Sequence, residues 1–392
     1  MNEYREKAYA YWLSQIKGVG RITIFNLIHR FGSAENVYFS KETCVSEALS
    51  RKQYEQLKES KKSWNVDSEF DKLSKQNIKF YHFGDSMYPE KLRLIPDPPY
   101  TLYVKGNLPI QGVRTMAVIG ARTCTEYGRM AAGHFTEAFA RNGVQIISGM
   151  ARGIDGISQQ IALNNGGKTY AVLGCGCNVC YPPENRALYE KICETGGIIS
   201  EYPPDTQPAS SLFPPRNRII SGLSDAVLVI EAKEKSGTLI TVDMALEQGK
   251  DIFAVPGRIS DSLSHGCNKL IRQGAGIATS PMEILNEIYG ESNDENKIKI
   301  ENNSDDNLGN RTDNGTNNGN TMNDVTDREK IILQKVDYIP VSFETLLNLC
   351  RGSLPGLSLQ QFSTELLLLQ LKGMIGREGS HYFKVATEKT VF

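Results

Sequence analysis

The chain has 392 residues, 40% apolar and 23% charged, with 44 Lys and Arg against 45 Asp and Glu for a net charge of −1. That length exceeds what a single core usually serves, so two or three domains are expected. No apolar run approaches the ~18 residues of a membrane helix, and the near-zero charge argues weakly against a nucleic-acid binder that is basic throughout.

The opening MNEYREKAYAYWLSQ carries both charge signs and lacks the apolar stretch of a signal peptide. Eight cysteines without a secretory context predict reduced thiols and a cytoplasmic protein. Residues 8 to about 65 read as helical. In WLSQIKGVGRITIFNLIHRFG a helix meets a Gly18-Val19-Gly20 turn, a second runs from about Ile22 to Arg30, and Gly32 stops it. Such a turn can aim backbone N–H groups at a phosphate, as helix-hairpin-helix modules do, or be a plain αα-hairpin. The first 70 residues are expected to form a helical domain of helix-hairpin-helix or SAM-like type. NIKFYHFGDSMYPEKLRLIPDPPYTLYVKGNLP then gives a short strand, a loop and a second strand leading onward.

From Thr115 short β-branched runs recur: TMAVIG, GVQIISG, TYAVLG, GGIISE, DAVLVIEA, DIFAVPG and AGIATS. Helical segments or helix starts lie between most of them, at Thr125–Arg141, Ile154–Asn164, Glu184–Glu194, Asn217–Leu223, Thr238–Gln248 and Asn268–Gln273. Apolar strands alternating with helices predict a parallel sheet covered on both faces. This is a doubly wound, Rossmann-like α/β domain over about 108–285, or 71–290 with its lead-in strands. Its ligands should bind beyond the carboxyl ends of the strands.

Residues 292–324 hold eleven Asn and seven acids against three bases, with no aromatic and no proline. Such a stretch cannot bury enough apolar surface to order itself, so 291–325 is expected to be a disordered linker. Its acidity leaves the remainder mildly basic. The tail, 326–392, predicts helices near 327–336, 342–350 and 357–372, then two short strands around REGSHY, the order of a winged helix. Phe362, Leu366 and Leu369 recur as a core stripe. The third helix, SLQQFSTELLLLQLK, has one Lys and no Arg, so DNA binding, a protein contact and simple capping stay open for the tail.

The loops at the strand ends are unusual. They are Gly120-Ala121-Arg122-Thr123, SGMARGID, GCGCNVCYPPEN, the stretch containing LFPPRNRIISGLSD, EAKEKSGTLIT and PGRISDSLSHGCNKLI. Glycines let backbone amides approach a ligand, and Ser236-Gly237-Thr238 at a helix start suits an anion. In the fourth loop two prolines of fixed φ separate Phe213 from Arg216-Asn217-Arg218. Arginines offer planar, always-charged forks for phosphate, although an exposed helix start with solvated arginines reads the same way. Six such loops on one rim, most carrying Lys or Arg, point to an extended polyanion.

No G-x-G-x-x-G follows the first strand, Gly174-Cys175-Gly176 lacks a third glycine in register, and no phosphate-loop G-x-x-x-x-G-K-[ST] occurs. No nucleotide cofactor is expected. Cys175, Cys177, Cys180 and Cys193 suggest a metal cluster, but the first two straddle a glycine at a tight strand end, so structural thiols and no metal are expected. Asp155 follows a glycine at a helix start, where capping accounts for it. Glu231 is a further candidate acid, and no catalytic constellation emerges.

The blocks VIGART, SGMARGIDGISQQIAL, YAVLGCG with CYPPENRALYEKI, ISEYPP, FPPRNRIISGLSDAVLVIEA, SGTLITVDMALEQGKDIFAVPG and GCNKLIRQGA, in that order, resemble the DNA-processing protein A (DprA/Smf) family. The resemblance spans about Trp12 to Leu285. It implies a bacterial protein that binds single-stranded DNA, dimerises through its Rossmann-like domain and loads RecA recombinase in natural transformation. It implies no cofactor and no turnover. It places Arg122 on the phosphate backbone and Phe213 against bases, with Arg216, Asn217 and Arg218 along the same groove. Gly120, Gly149, Arg152, Ser236, Gly237, Thr238 and Lys269 complete the expected DNA-binding set. Ala121 stands where many relatives have Ser and Pro183 where they often have Lys, so one backbone contact is expected to be missing. The fold also resembles nucleotide phosphoribohydrolases marked by P-G-G-x-G-T-x-x-E. Here Glu234-Lys235 replaces the glycines and Thr241 the glutamate, which removes that chemistry.

Overall fold

A computed structural model of the chain describes residues 3–290, 326–336, 341–352, 354, 358–378 and 381–384. The linker expected at 291–325 lies outside the described residues. The chain divides into two compact units, Met1–Asn293 and Asp294–Phe392.

The first unit opens with six helices, α1 (Glu3–Ser14), α2 (Arg21–Phe31), α3 (Ala34–Phe39), α4 (Glu42–Glu47), α5 (Arg51–Ser63) and α6 (Val66–Lys75). Local chemistry sets their ends. Ser33, Ser50 and Asn65 each accept a hydrogen bond from the backbone N–H three residues on, capping α3, α5 and α6. Gly32 closes α2 at φ +84°, a conformation that glycine adopts at least cost.

The sheet follows: β1 (Lys79–His82), α7 (Glu90–Arg93), β2 (Thr101–Gly106), β3 (Thr115–Ile119), α8 (Glu126–Arg141), β4 (Gln145–Ser148), α9 (Ile154–Asn164) and β5 (Thr169–Val172). Then come α10 (Arg186–Thr195), β6 (Gly197–Ser200), α11 (Phe213–Gly222), β7 (Ala226–Val229), α12 (Gly237–Glu247), β8 (Asp251–Ala254), α13 (His265–Arg272), β9 (Gly276–Ile277) and α14 (Pro281–Tyr289). The strand order is β1-β2-β6-β5-β4-β3-β7-β8-β9. Strands β3 to β9 pair in parallel. The lead-in strands β1 and β2 extend that sheet antiparallel, with Tyr103 of β2 opposite Ser200 of β6.

Side chains alternate across a strand, and the cores record it. Met116, Val118, Ile146 and Leu228 pack with Phe135 and Phe139 of α8. Their neighbours Ala117, Ile119, Ile147 and Val227 pack with Ile219, Ile220 and Val242 of α11 and α12. Burial on both faces is why these strands read as continuous apolar runs. A third core joins Trp12, Leu13, Leu27 and Leu57 of the helices to Tyr103, Leu173 and Ile198 of the sheet region.

The order fixes where a ligand can sit. From β3 the chain steps to β4 on one side, and from β7 it steps to β8 on the other. The connections therefore diverge between β3 and β7, opening a crevice beyond their carboxyl ends.

The second unit holds α15 (Asp327–Lys335), β10 (Val341–Ser342), α16 (Phe343–Arg351), α17 (Leu359–Leu371), β11 (Ile375–Glu378) and β12 (His381–Lys384). Its antiparallel sheet has the order β10-β12-β11. Phe362, Leu366 and Leu369 are buried, as their helical spacing requires. The hairpin tip expected in REGSHY falls on residues 379 and 380, which lie outside the described residues.

Candidate nucleic-acid interface

The strand-end loops interlock around Gly120. Gly153, at φ +72°, brings the start of α9 so close that a Cβ there would collide with the carbonyls of Ala121 and Arg122. The Ile154 N–H donates to Ala121 O at 3.1 Å, and a Cβ at Gly120 would come within 2.7 Å of Ile154. Across the crevice the Thr238 hydroxyl donates to Gly120 O at 3.2 Å. Glu231 is buried and accepts from the Thr125 N–H at 2.9 Å and from the Thr125 hydroxyl. It supports the start of α8, which accounts for its carboxylate without an acid–base role. The Arg122 backbone is thus held firmly while its side chain stays exposed.

Beside this lock lies a shallow depression lined by Arg122, Gly149, Arg152, Tyr181, Phe213 and Arg216 among others. Its volume of ≈ 30 Å³ makes it narrow as it stands, and it opens to solvent between Arg122 and the two rings. Phe213 stacks on Tyr181, with centroids 5.4 Å apart and planes at 28°. The Arg122 guanidinium carbon sits 5.8 Å from the Phe213 centroid, over the ring. Gly174 makes room, since a Cβ there would lie 2.7 Å from Phe213 Cδ1.

Helix α11 begins at Phe213, four residues before the expected start at Asn217, because Pro214 and Pro215 occupy its first turn. The N–H groups they lack would be unpaired there in any case. The earlier start separates the two arginines by roughly 200° around the helix. Arg216 turns inward to the strand ends, 5% exposed. Its Nη1 donates to Gly149 O at 3.1 Å and to Val172 O, and Asp155 accepts from the Gly149 N–H at 3.2 Å. Burial pulls the Arg216 guanidinium down from its ordinary value against the Asp155 charge, and burial pushes Asp155 up against Arg216 and the surrounding N–H groups. Any side chain at Gly149 would strike this pair.

Arg218, 4% exposed, forks onto Glu201 at 2.7 and 2.6 Å, and its Nε reaches Asp97 O at 2.8 Å. Two carboxylates hold it, and it does not line the depression. The expectation that Arg216 to Arg218 share one open groove therefore needs revising: Arg216 is the floor, and Arg218 braces α11 against Asp97 and Glu201. Asn217 is half-buried, its Oδ1 3.3 Å from Arg216 Nε.

Exposed Arg152 pairs with Glu184, and Lys269 of α13 stands 3.6 Å from Glu234, outside the depression. Ser236 stands at the N-cap position of α12 in extended geometry without a side-chain capping bond, and its buried hydroxyl has no hydrogen-bond partner among the described residues. Gly237 is exposed beside it. The structure thus gathers Arg122, Gly149, Arg152, Phe213 and Arg216, with Ser236, Gly237 and Thr238 adjoining Gly120. Sequence reasoning missed Tyr181. Its signal is the one that drew attention to Phe213, an aromatic directly before two prolines in a strand-end loop.

All eight cysteines are free, and no group of three or more metal-binding side chains occurs among the described residues. Burial pushes the Cys175 thiol up to about 11 and Cys177 up to about 12.

A doubly wound, mostly parallel sheet with an arginine and aromatic rings at its switch-point rim defines a Rossmann-like protein. Residues 79–289 match the family of DNA recombination-mediator protein A, and the chain belongs to that family. DNA processing protein DprA of Streptococcus pneumoniae is 44% identical over 217 residues, 55% of this chain and 77% of that one. Protein Smf of a Synechocystis species is 37% identical over 284 residues, 70% and 71% of the two chains. The X-ray structure of DNA processing protein A from S. pneumoniae matches with a TM-score of 0.64 at 35% identity, covering 72% of this chain and 98% of that one. Among the described residues no helix is long and apolar enough to cross a membrane.

Proposed function

We propose that the chain binds single-stranded DNA across the strand-end rim, as a cytoplasmic homodimer formed through its Rossmann-like domain, and loads RecA recombinase onto that strand during natural transformation. The observation that carries this reading is the exposed Arg122 guanidinium, unpaired with any carboxylate among the described residues, beside the stacked rings of Phe213 and Tyr181 at the strand ends. Arg122 takes a phosphate, the aromatic pair takes a base, and the amides of Ser236, Gly237 and Thr238 at the start of α12 assist, while the Gly120 amide is spent on the Asp155 carboxylate. Stacking tolerates any base. Arg152 and Lys269 are secondary cations released from Glu184 and Glu234 when phosphate arrives, while Gly149, Arg216, Asn217 and Arg218 position the loops.

In this reading no cofactor and no turnover are involved. Thr241, buried in α12, stands where the phosphoribohydrolase reading needs a glutamate. The chain is read as a helical domain (1–70), the α/β domain (71–290), a linker (291–325) and a winged helix (326–392), whose α17 carries neither Lys nor Arg. Fluorescence anisotropy with single- and double-stranded oligonucleotides over a salt series tests the proposal. Single strands should bind more tightly than duplex and with little regard to sequence. Preference for duplex would overturn it.

A further inference from the structure

We propose that the free edge of β1, remote in the sheet order from β3 and β7, takes an extended acidic peptide as an added strand. β1 ends the nine-stranded sheet, so one side of its backbone pairs with β2 and no strand lies on the other. The Phe83 N–H donates to Tyr100 O at 2.9 Å. Antiparallel partners exchange bonds at alternate residues. Tyr81, opposite Leu102, and Lys79, opposite Val104, therefore spend their backbone groups on β2. The N–H groups of Phe80 and His82 and the Phe80 carbonyl point outward instead. Their neighbours are already used, since His82 O accepts from the Asp85 N–H and the Ile78 N–H donates to Leu73 O.

Beside this edge runs a groove of ≈ 780 Å³, walled by Phe70 and Leu73 of α6 and by the strand from Ile78 to Tyr81. Lys7, Lys75, Lys79 and Lys105 line it, and no carboxylate does. Lys7 is engaged by Glu3 and Asp85, and Lys79 donates to Asn107 Oδ1 at 2.8 Å. Exposed Lys75 and half-buried Lys105 have no ion pair among the described residues. Lys79 lies opposite Val104, so Lys79 and Lys105 leave opposite faces of the sheet. An added strand also turns its side chains to both faces, and successive acids would meet a lysine on each. Lysines often merely guard an edge against aggregation. A guard needs no cleft, whereas these surround a space within the ~300–1,000 Å³ of ligand sites. No arginine and no helix start lines the groove, so it lacks the forks and amide clusters that favour phosphate. Outward main-chain groups with ammoniums around them suit an extended acidic chain.

The test follows a labelled short peptide of Val-Asp-Glu repeats by fluorescence anisotropy with the full chain. One control peptide carries Asn and Gln in place of the acids, and another has alternate amides N-methylated. Each control should bind roughly tenfold more weakly. Lys75→Glu and Lys105→Glu should each weaken binding of the acidic peptide roughly 3- to 30-fold at the wild-type melting temperature. Hydrogen exchange over residues 78–82 of the wild type should slow when the peptide binds. If a variant melts early, that exchange decides. Unchanged exchange, or equal affinity for the uncharged peptide, overturns the proposal and leaves the lysines as guards of the edge. An oligothymidine that displaces the peptide from wild type and Arg122→Ala alike also overturns it, because the groove would then take nucleic acid.

Discussion

Glu184 holds Arg152 across the rim through an ion pair whose two side chains are each 59% exposed. Pairs this open add little to stability and are screened by salt, so its effect falls on the ligand: the carboxylate competes with phosphate for the guanidinium. Glu184→Gln should tighten single-strand binding at low salt, because the competing carboxylate is gone, while the log–log salt slope keeps its wild-type value, since Arg152 meets a phosphate in both proteins. Its melting temperature should stay at the wild-type value. An unchanged affinity would mean that Arg152 never reaches the strand. The buried cysteines give a second residue-scale expectation. Thiolate is the reactive form, and burial pushes Cys175, Cys177 and Cys267 upward while Cys44 lies exposed. Mass spectrometry after brief alkylation of the native protein should find Cys44 modified well before those three. Early labelling of Cys177 would show that the strand-end loop opens.

At the scale of elements, the rim depends on how the loops after β3 and β4 nest. Gly153 lets α9 start under the carbonyls of Ala121 and Arg122 from a left-handed backbone. Gly153→Ala meets both the strained φ and the collision, so it should cost more than about 1 kcal/mol of stability. It should also weaken DNA binding by displacing Arg122, and a thermal melt beside an anisotropy titration checks the two together. Much of this level could be read from the sequence. The alternation of apolar runs with helices gave the parallel sheet, and the Phe362, Leu366 and Leu369 spacing gave the core face of α17. What escaped was phase. A helix read from Asn217 leaves Arg216 and Arg218 outside or at its start, where both can reach solvent. Counted from Phe213, with the prolines inside the first turn, the same residues fall on opposite sides and both are buried. Tyr181 carries the same local signal as Phe213, an aromatic before two prolines, but its stacking on that ring joins loops 32 residues apart in sequence, a partner that local spacing does not name.

At the scale of the molecule, the helices before β1 and the sheet share one core, with Trp12, Leu13 and Leu57 in the cluster that contains Tyr103 and Leu173. Composition separated these regions because one has helical and the other strand periodicity. Packing unites them in the unit Met1–Asn293. Ending the chain at Gly290 should therefore preserve a folded protein with single-strand affinity within about 1 kcal/mol of the full chain, since the positively charged rim is retained whole. Loss of binding on truncation would move the main site to the tail. The most direct test of the account is the salt dependence of single-strand binding by the full chain and by Arg122→Ala. A guanidinium on a phosphate releases counterions, so the substitution should weaken binding to every sequence and flatten the log–log salt slope by about 0.7. A slope equal to wild type would contradict the account, because Arg122 would then touch no phosphate.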